Sequence, residues 1–270
     1  MTCVLKRHHT DKGFWHPSAG HLNPPSYTVI DMIHSQLVPT AKLSAGDRAE
    51  MFHLLQQHFA GVRIDVFQSD LREKNWVLLL RDHAETLKGF STLSFYSTEF
   101  NGESIDVVYS GDTIMDPSAW SSLSLAKSWI SAVTTLKALH STGRLYWFLI
   151  SSGYRTYRFL PTFWETFYPC YNNPTPLVMQ DLMHRLAEEK FGDRYHRSTG
   201  IVRLDHPQQL KGDLSGIPEE RLSDAHIHFF AQKNPRHALG DELVCLAEIC
   251  EDNLTRAGHR MWQSIASTRH

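Results

Sequence analysis

The stretch "VVYSGDTIMDPSAWSSLSLAKSW", Val107–Trp129, decides how the rest of the chain is read. Its first half has the β-branched and aromatic content of a strand. Asp116-Pro117 then opens a helix: an aspartate accepts hydrogen bonds from otherwise unsatisfied amides, and proline fits the first helical position. Leu123, Ala126, Trp129, Ile130, Val133 and Leu136 recur at spacings of three and four, which predicts one inward helical face ending near Gly143. A strand that runs straight into a helix through serines sets hydroxyls and bare amides at one spot, Asp112 to Ser124. Such a helix start favours an anion. The same residues also serve as an ordinary cap and as the polar side of an amphipathic helix.

Upstream, 75–82, 87–100 and 103–115 read as strands. "FNGES" joins the last two, and Asn-Gly between alternating apolar runs is the strongest short hairpin signal. The expectation is an antiparallel meander, with "RIDVFQ" (63–68) as a further strand. Before it, "SYTVIDMIHSQLVP" (26–39) reads as a strand. In "SAGDRAEMFHLLQQHFAGV" (44–62), Ser44 or Asp47 caps a helix with Met51, Leu54, Leu55 and Phe59 inward. Downstream come a strand, "RLYWFLIS" (144–151), and a helical pattern broken at Pro161. Residues 1–26 read as an arm. From 170 on, the expectation is a helix over 176–192 with Leu177, Leu182, Met183 and Leu186 inward, stopped by Gly192. A polar stretch, a strand "AHIHFFAQ" and a final helix over 240–262 follow.

Composition narrows the function. With 27 Lys and Arg against 29 Asp and Glu, the formal charge of -2 gives no field that would draw nucleic acid or an anionic membrane. A small molecule or another protein is the expected partner. The four cysteines are scattered without a Cys-x-x-Cys pair, and there is neither a signal-peptide core nor a membrane-length apolar run, so a reduced, cytoplasmic protein is expected.

Strand, helix, several antiparallel strands, a long strand-to-helix junction, and a tyrosine-bearing helix after the next strand: this order resembles the GNAT superfamily of N-acyltransferases. The resemblance implies an α/β (α+β) fold over 27–169, a mixed, mostly antiparallel central sheet flanked by helices, with 170–270 as an extension packing on that core. It implies transfer of an acyl group from acyl-CoA, or from phosphopantetheine on an acyl carrier protein, to an amine of a small-molecule acceptor by direct attack. No tightly bound cofactor is implied. The donor's pyrophosphate is held at the helix start, where "AWSSLS" offers Ser121, Ser122 and Ser124; Ala119 stands where the family has Arg or Gln. Backbone amides of Thr113, Ile114 and Met115 polarise the carbonyl. Tyr154 or Tyr157 supplies the acid for the leaving thiolate, and Arg155 and Arg158 can meet phosphates. Among Glu99, Asp106 and Asp112, the last ranks first as base because it ends the strand. The aromatic residues of this region suit an acyl chain longer than acetyl. The alternatives are a non-catalytic module that binds an acyl carrier or partner protein, and a different reaction on a thioester.

Other motifs carry less. His226 and His228, with Asp224, share one face of the expected strand, but no third ligand stands at metal-site spacing, so no metal is expected. Gly-x-Ser-x-Gly and a Gly-x-x-x-x-Gly-Lys loop are absent. Cys170 is a nucleophile candidate by residue type alone.

Overall fold

The Asn-Gly turn forms as the sequence requires. Asn101 and Gly102 take φ of 53° and 80°, the left-handed conformation of a tight hairpin turn. They join two long strands paired antiparallel from Phe100↔Glu103 to Gly89↔Met115. The computed structural model describes residues 33–119, 123–141, 143–212 and 216–266. The expected arm (1–26), the start of the first strand, and Ser121 and Ser122 lie outside the described residues.

In chain order the elements are β1 (His34–Pro39), α1 (Ala45–His58), β2 (Phe59–Ala60), α2 (Ile64–Arg72), β3 (Trp76–Arg81), β4 (Leu87–Phe100), β5 (Glu103–Met115), α3 (Ser124–His140), β6 (Arg144–Ser151), α4 (Tyr154–Tyr157), α5 (Phe159–Phe163), β7 (Phe167–Tyr168), α6 (Leu177–Phe191), β8 (Tyr195–His196), β9 (Ile201–Val202), β10 (Gln209–Leu210), α7 (Ala225–Lys233), β11 (Glu242–Glu248) and α8 (Arg256–Ala266). The main sheet runs β1-β3-β4-β5-β6-β11-β9-β8, with β7 also on β11; β2 and β10 form a separate pair. Among the described residues of the main sheet only β5 and β6 run parallel. A parallel pair needs a crossover, and α3 supplies it. This mixed, mostly antiparallel sheet flanked by helices is the layout expected from the element order.

Alternation along the strands divides the core. Leu78, Leu80, Leu93, Val108 and Trp147 face α3, α4, α5 and α7. On the opposite face, Val77, Leu79, Phe90 and Ile114 cover α1 and α2, while Val107, Tyr109 and Phe148 cover α6. Ser44 caps α1 in a reciprocal box: the Asp47 amide donates to Ser44 Oγ (3.0 Å) and the Ser44 amide to Asp47 Oδ2 (3.0 Å).

Several expectations fail for local reasons. "RIDVFQ" belongs to a helix, α2, because Phe67 and Leu71, four apart, are the positions buried. "AHIHFFAQ" is also helical: Asp224 accepts from the His226 and Ile227 amides (2.9 and 3.3 Å), and Ile227 and Phe230 pack inward. The expected final helix begins instead as a strand. Leu243 to Ala247 are buried on both faces of β11, so they read as a continuous apolar run that periodicity cannot assign. Asp116 caps a short 3-10 turn, Pro117–Ala119, through the Ser118 amide (2.9 Å), and α3 begins only at Ser124. Leu123 and Leu177, expected inward, are 69% and 79% exposed. Pro161 sits inside α5; the helical pattern breaks earlier, at Arg158. Within the expected 170–270 extension, α6 and α7 pack on the faces of the sheet, while β11 enters the sheet itself beside β6.

Candidate active site

The parallel pairing of β5 with β6 runs from Ile105↔Arg144 to Ser110↔Leu149 and stops. Beyond it β5 continues to Met115 against β4, and β6 continues to Ser151 against β11, so the two strands part. The register between β4 and β5 shifts at the same level: Ser91 opposes Thr113 and Leu93 opposes Ser110, leaving Gly111 and Asp112 across from Thr92 alone. This is a β-bulge, and it changes the phase of the strand. Tyr109 packs on α6 and Ile114 on α1 and α2, while Asp112 is brought under the charges of Asp70 and Lys74 at the end of α2. Regular alternation would have turned Asp112 to the α3 side.

A cavity of about 430 Å³ opens where the strands part, and its wall comes from both faces of the sheet. On the α3 side it is apolar, with Met115, Leu125, Trp129, Trp147 and Phe159; on the other it holds Asp70, Glu73, Asp112, Lys190 and Glu242. The apex is braced by one hydroxyl. Ser110 Oγ accepts from both Trp129 Nε1 (3.2 Å) and Trp147 Nε1 (2.9 Å), and the two indoles stand 4.4 Å apart. Trp164 closes the group at 5.0 Å from Trp147.

Burial pushes the Asp112 carboxyl up to about 7, with repulsion from Asp70 adding to the rise and Lys74 opposing it. Burial raises Glu242 to about 8, against hydrogen bonding from Ser152 and with the charge of Asp112 raising it further. Two carboxyl groups on β5 and β11 thus face one cavity and each hold a proton near neutrality. A carboxylate tuned toward the working pH is what a general base needs. Helical periodicity over 240–262 hides Glu242, which in the structure opens β11. As a strand, "ELVCLAE" would have put its first residue at the same end of the sheet as Asp112.

The other candidates fall in different places. Thr113, Ile114, Met115, Tyr154 and Arg155 line the cavity with Asp112. Tyr154 is buried at the start of α4, with the Arg155 guanidinium 4.7 Å over its ring. Ser124 begins α3 but is not part of the cavity wall. Tyr157 belongs to the core: its hydroxyl donates to the Pro169 carbonyl (2.9 Å), its ring lies 5.3 Å from Phe230, and burial pushes its hydroxyl well above the ordinary tyrosine range. Glu99 is exposed near the hairpin tip, and Asp106 is buried, accepting from the Ser97 hydroxyl. Arg158 pairs with Asp224 at 3.5 Å.

His226 and His228, two apart on a helix, point to different sides: His226 meets Tyr171 edge-on and His228 meets Gln232. Among the described residues no three His, Cys, Asp or Glu side chains are grouped to hold a metal ion, and no helix is long and apolar enough to cross a membrane. Cys170 donates to Asn172 Oδ1.

No protein-family model matches the chain, and no curated protein matches it. Among solved structures it is similar to a probable N-acyltransferase from Enterococcus faecalis V583 (15% identity, 50% of this chain and 33% of that one, TM-score 0.38). It is also similar to a GNAT family N-acetyltransferase from Escherichia coli in complex with CoA (17% identity, 52% and 71%, TM-score 0.33). A third is an acetyltransferase from Trypanosoma brucei (12% identity, 54% and 98%, TM-score 0.36). The chain spans about a third of the length of the Enterococcus protein.

Proposed function

We propose that the chain is an acyltransferase that moves an acyl group from acyl-CoA, or from a phosphopantetheine thioester on an acyl carrier protein, to an amine of a small-molecule acceptor by direct attack. One observation carries this reading: a parallel strand pair opens into a cavity reached from both faces of the sheet, with a carboxyl raised to about 7 at the bulge. A thioester lying between the strands would meet the acceptor from the carboxyl-lined side.

An amine is protonated at neutral pH and attacks only as the free base. In this reading Asp112, ionised above about pH 7, takes that proton, while Glu242, raised to about 8, keeps its own. Amides of Thr113–Met115, on the β5 segment beyond the reach of β6, stabilise the charge growing on the carbonyl oxygen. The Tyr154 hydroxyl returns a proton to the departing thiolate. The start of α3 at Ser124 receives the donor's phosphates, and the apolar wall takes the acyl chain.

The experiment is to incubate the protein with acyl-CoA and acyl-carrier-protein pools and a mixture of primary amines, following free thiol and N-acyl products by mass spectrometry. Amine-dependent thiol release with formation of an amide is expected. Absence of binding and of turnover with both donor classes would overturn the reading.

A further inference from the structure

Beneath the bulge lies a lysine with no exposed side-chain surface, which the transfer reaction leaves unused. Lys74 follows α2 and precedes β3; its Nζ donates to Asp70 Oδ1 (2.6 Å) and to the Asp70 carbonyl (3.2 Å) and stands 5.3 Å from the centre of the Tyr109 ring. A Cβ placed on Gly111 would come 2.5 Å from Lys74 Cε, 3.2 Å from its Nζ and 2.6 Å from Thr92 Oγ1. Gly111 is not among the glycines with positive φ, so the path of the lysine, rather than backbone freedom, requires glycine there. An ammonium removed from water is costly unless paired; an apolar side chain would fill the same space more simply. The lysine therefore needs a reason in the site.

We propose that Lys74, held under the bulge at Gly111 by its ion pair with Asp70, is a positioning residue that sets when Asp112 carries a proton. This rests on the reading of Asp112 as the base. The groups around Asp112 are Asp70 on α2, Glu73 and Lys74 just after it, Tyr109 on β5, Lys190 on α6 and Glu242 on β11. Lys190 is engaged with Glu73 (3.4 Å) and, like Lys74, stands over the Tyr109 ring, 4.4 Å from its centre. Two charges act on Asp112 in opposite directions, Asp70 raising its proton affinity and Lys74 lowering it. Removing either partner unbalances the field in a known direction.

Lys74→Met keeps the apolar stem and deletes the charge; Asp70→Asn does the converse at a partly exposed position. The Asp112 carboxyl is titrated by carbon NMR, assigned with Asp112→Asn, and the pH profile of acyl transfer is recorded beside it. Loss of the opposite charge should move the Asp112 midpoint and the acid limb of the profile upward by about one unit or more in Lys74→Met. Asp70→Asn should move both downward. An unchanged Asp112 midpoint in folded Lys74→Met overturns the inference. If that variant does not fold, an unchanged midpoint in Asp70→Asn overturns it equally. A midpoint that moves while the rate profile stays fixed supports the role of Lys74 and overturns the assignment of Asp112 as base.

Discussion

Replacing Ser110 with alanine removes a single hydroxyl and strands two donors. The Trp129 and Trp147 indole N–H groups both end on Ser110 Oγ, at 3.2 and 2.9 Å, and both residues are almost fully buried. A buried donor left without its acceptor costs about 1–3 kcal/mol. With the longer bond counted as the weaker, Ser110→Ala should cost about 2–4 kcal/mol. The assay is urea unfolding followed by far-ultraviolet circular dichroism. A slope of about 2–3 kcal/mol per molar makes this a drop of roughly 0.7–2 M in midpoint. In a Trp129→Phe background one donor is already gone, so the same Ser110→Ala change should cost measurably less. A loss below about 0.5 kcal/mol, or the same loss in both backgrounds, refutes the bracing role.

Asp112→Asn should lower turnover by about 10²–10⁴-fold while raising the melting temperature at pH 8. In the native state the Asp112 proton affinity is raised, so its stabilising share is present at low pH and lost as pH rises through about 7. Asparagine cannot ionise, and melting curves between pH 5 and 8 should be flatter in the variant. Tyr154→Phe should lower kcat with little change in stability. Tyr157→Phe should do the reverse, costing about 1–3 kcal/mol for the Pro169 carbonyl left without its donor. With acyl-CoA substrates of increasing chain length, kcat/KM should climb about fourfold per methylene buried against the apolar wall, and a flat series would refute that placement.

The parts of the fold legible in the sequence are those set by local chemistry. Asn101-Gly102 dictated the hairpin, Ser44 and Asp47 the start of α1, and the spacing of Ala126, Trp129, Ile130, Val133 and Leu136 the inward face of α3. Errors came where two periodicities fit equally: α2 and α7 are short and rich in β-branched or aromatic residues, and β11 is apolar on both faces. The site was half legible. Asp112 and Thr113–Met115 followed from their place at a strand end. The bulge that turns Asp112 toward α2 depends on pairing with β4, which no local pattern encodes. Glu242 and Lys74 come close to Asp112 only through the tertiary fold, and Tyr157 could not be separated from Tyr154 without knowing which side of α4 meets the core.

The place of β11 also bears on how a nascent chain reaches this state. Its partner β6 emerges first, and everything from Ser152 to Asp241 must be synthesised before the two can pair. During that interval β6 presents an open edge beside Tyr146, Trp147 and Phe148, an invitation to intermolecular strand addition. Pairing across so long a separation is slow to nucleate. Expression of a chain stopped before Glu242 should therefore yield aggregates rather than a smaller folded protein, and the 270-residue chain should depend on chaperones that shield that edge until β11 arrives.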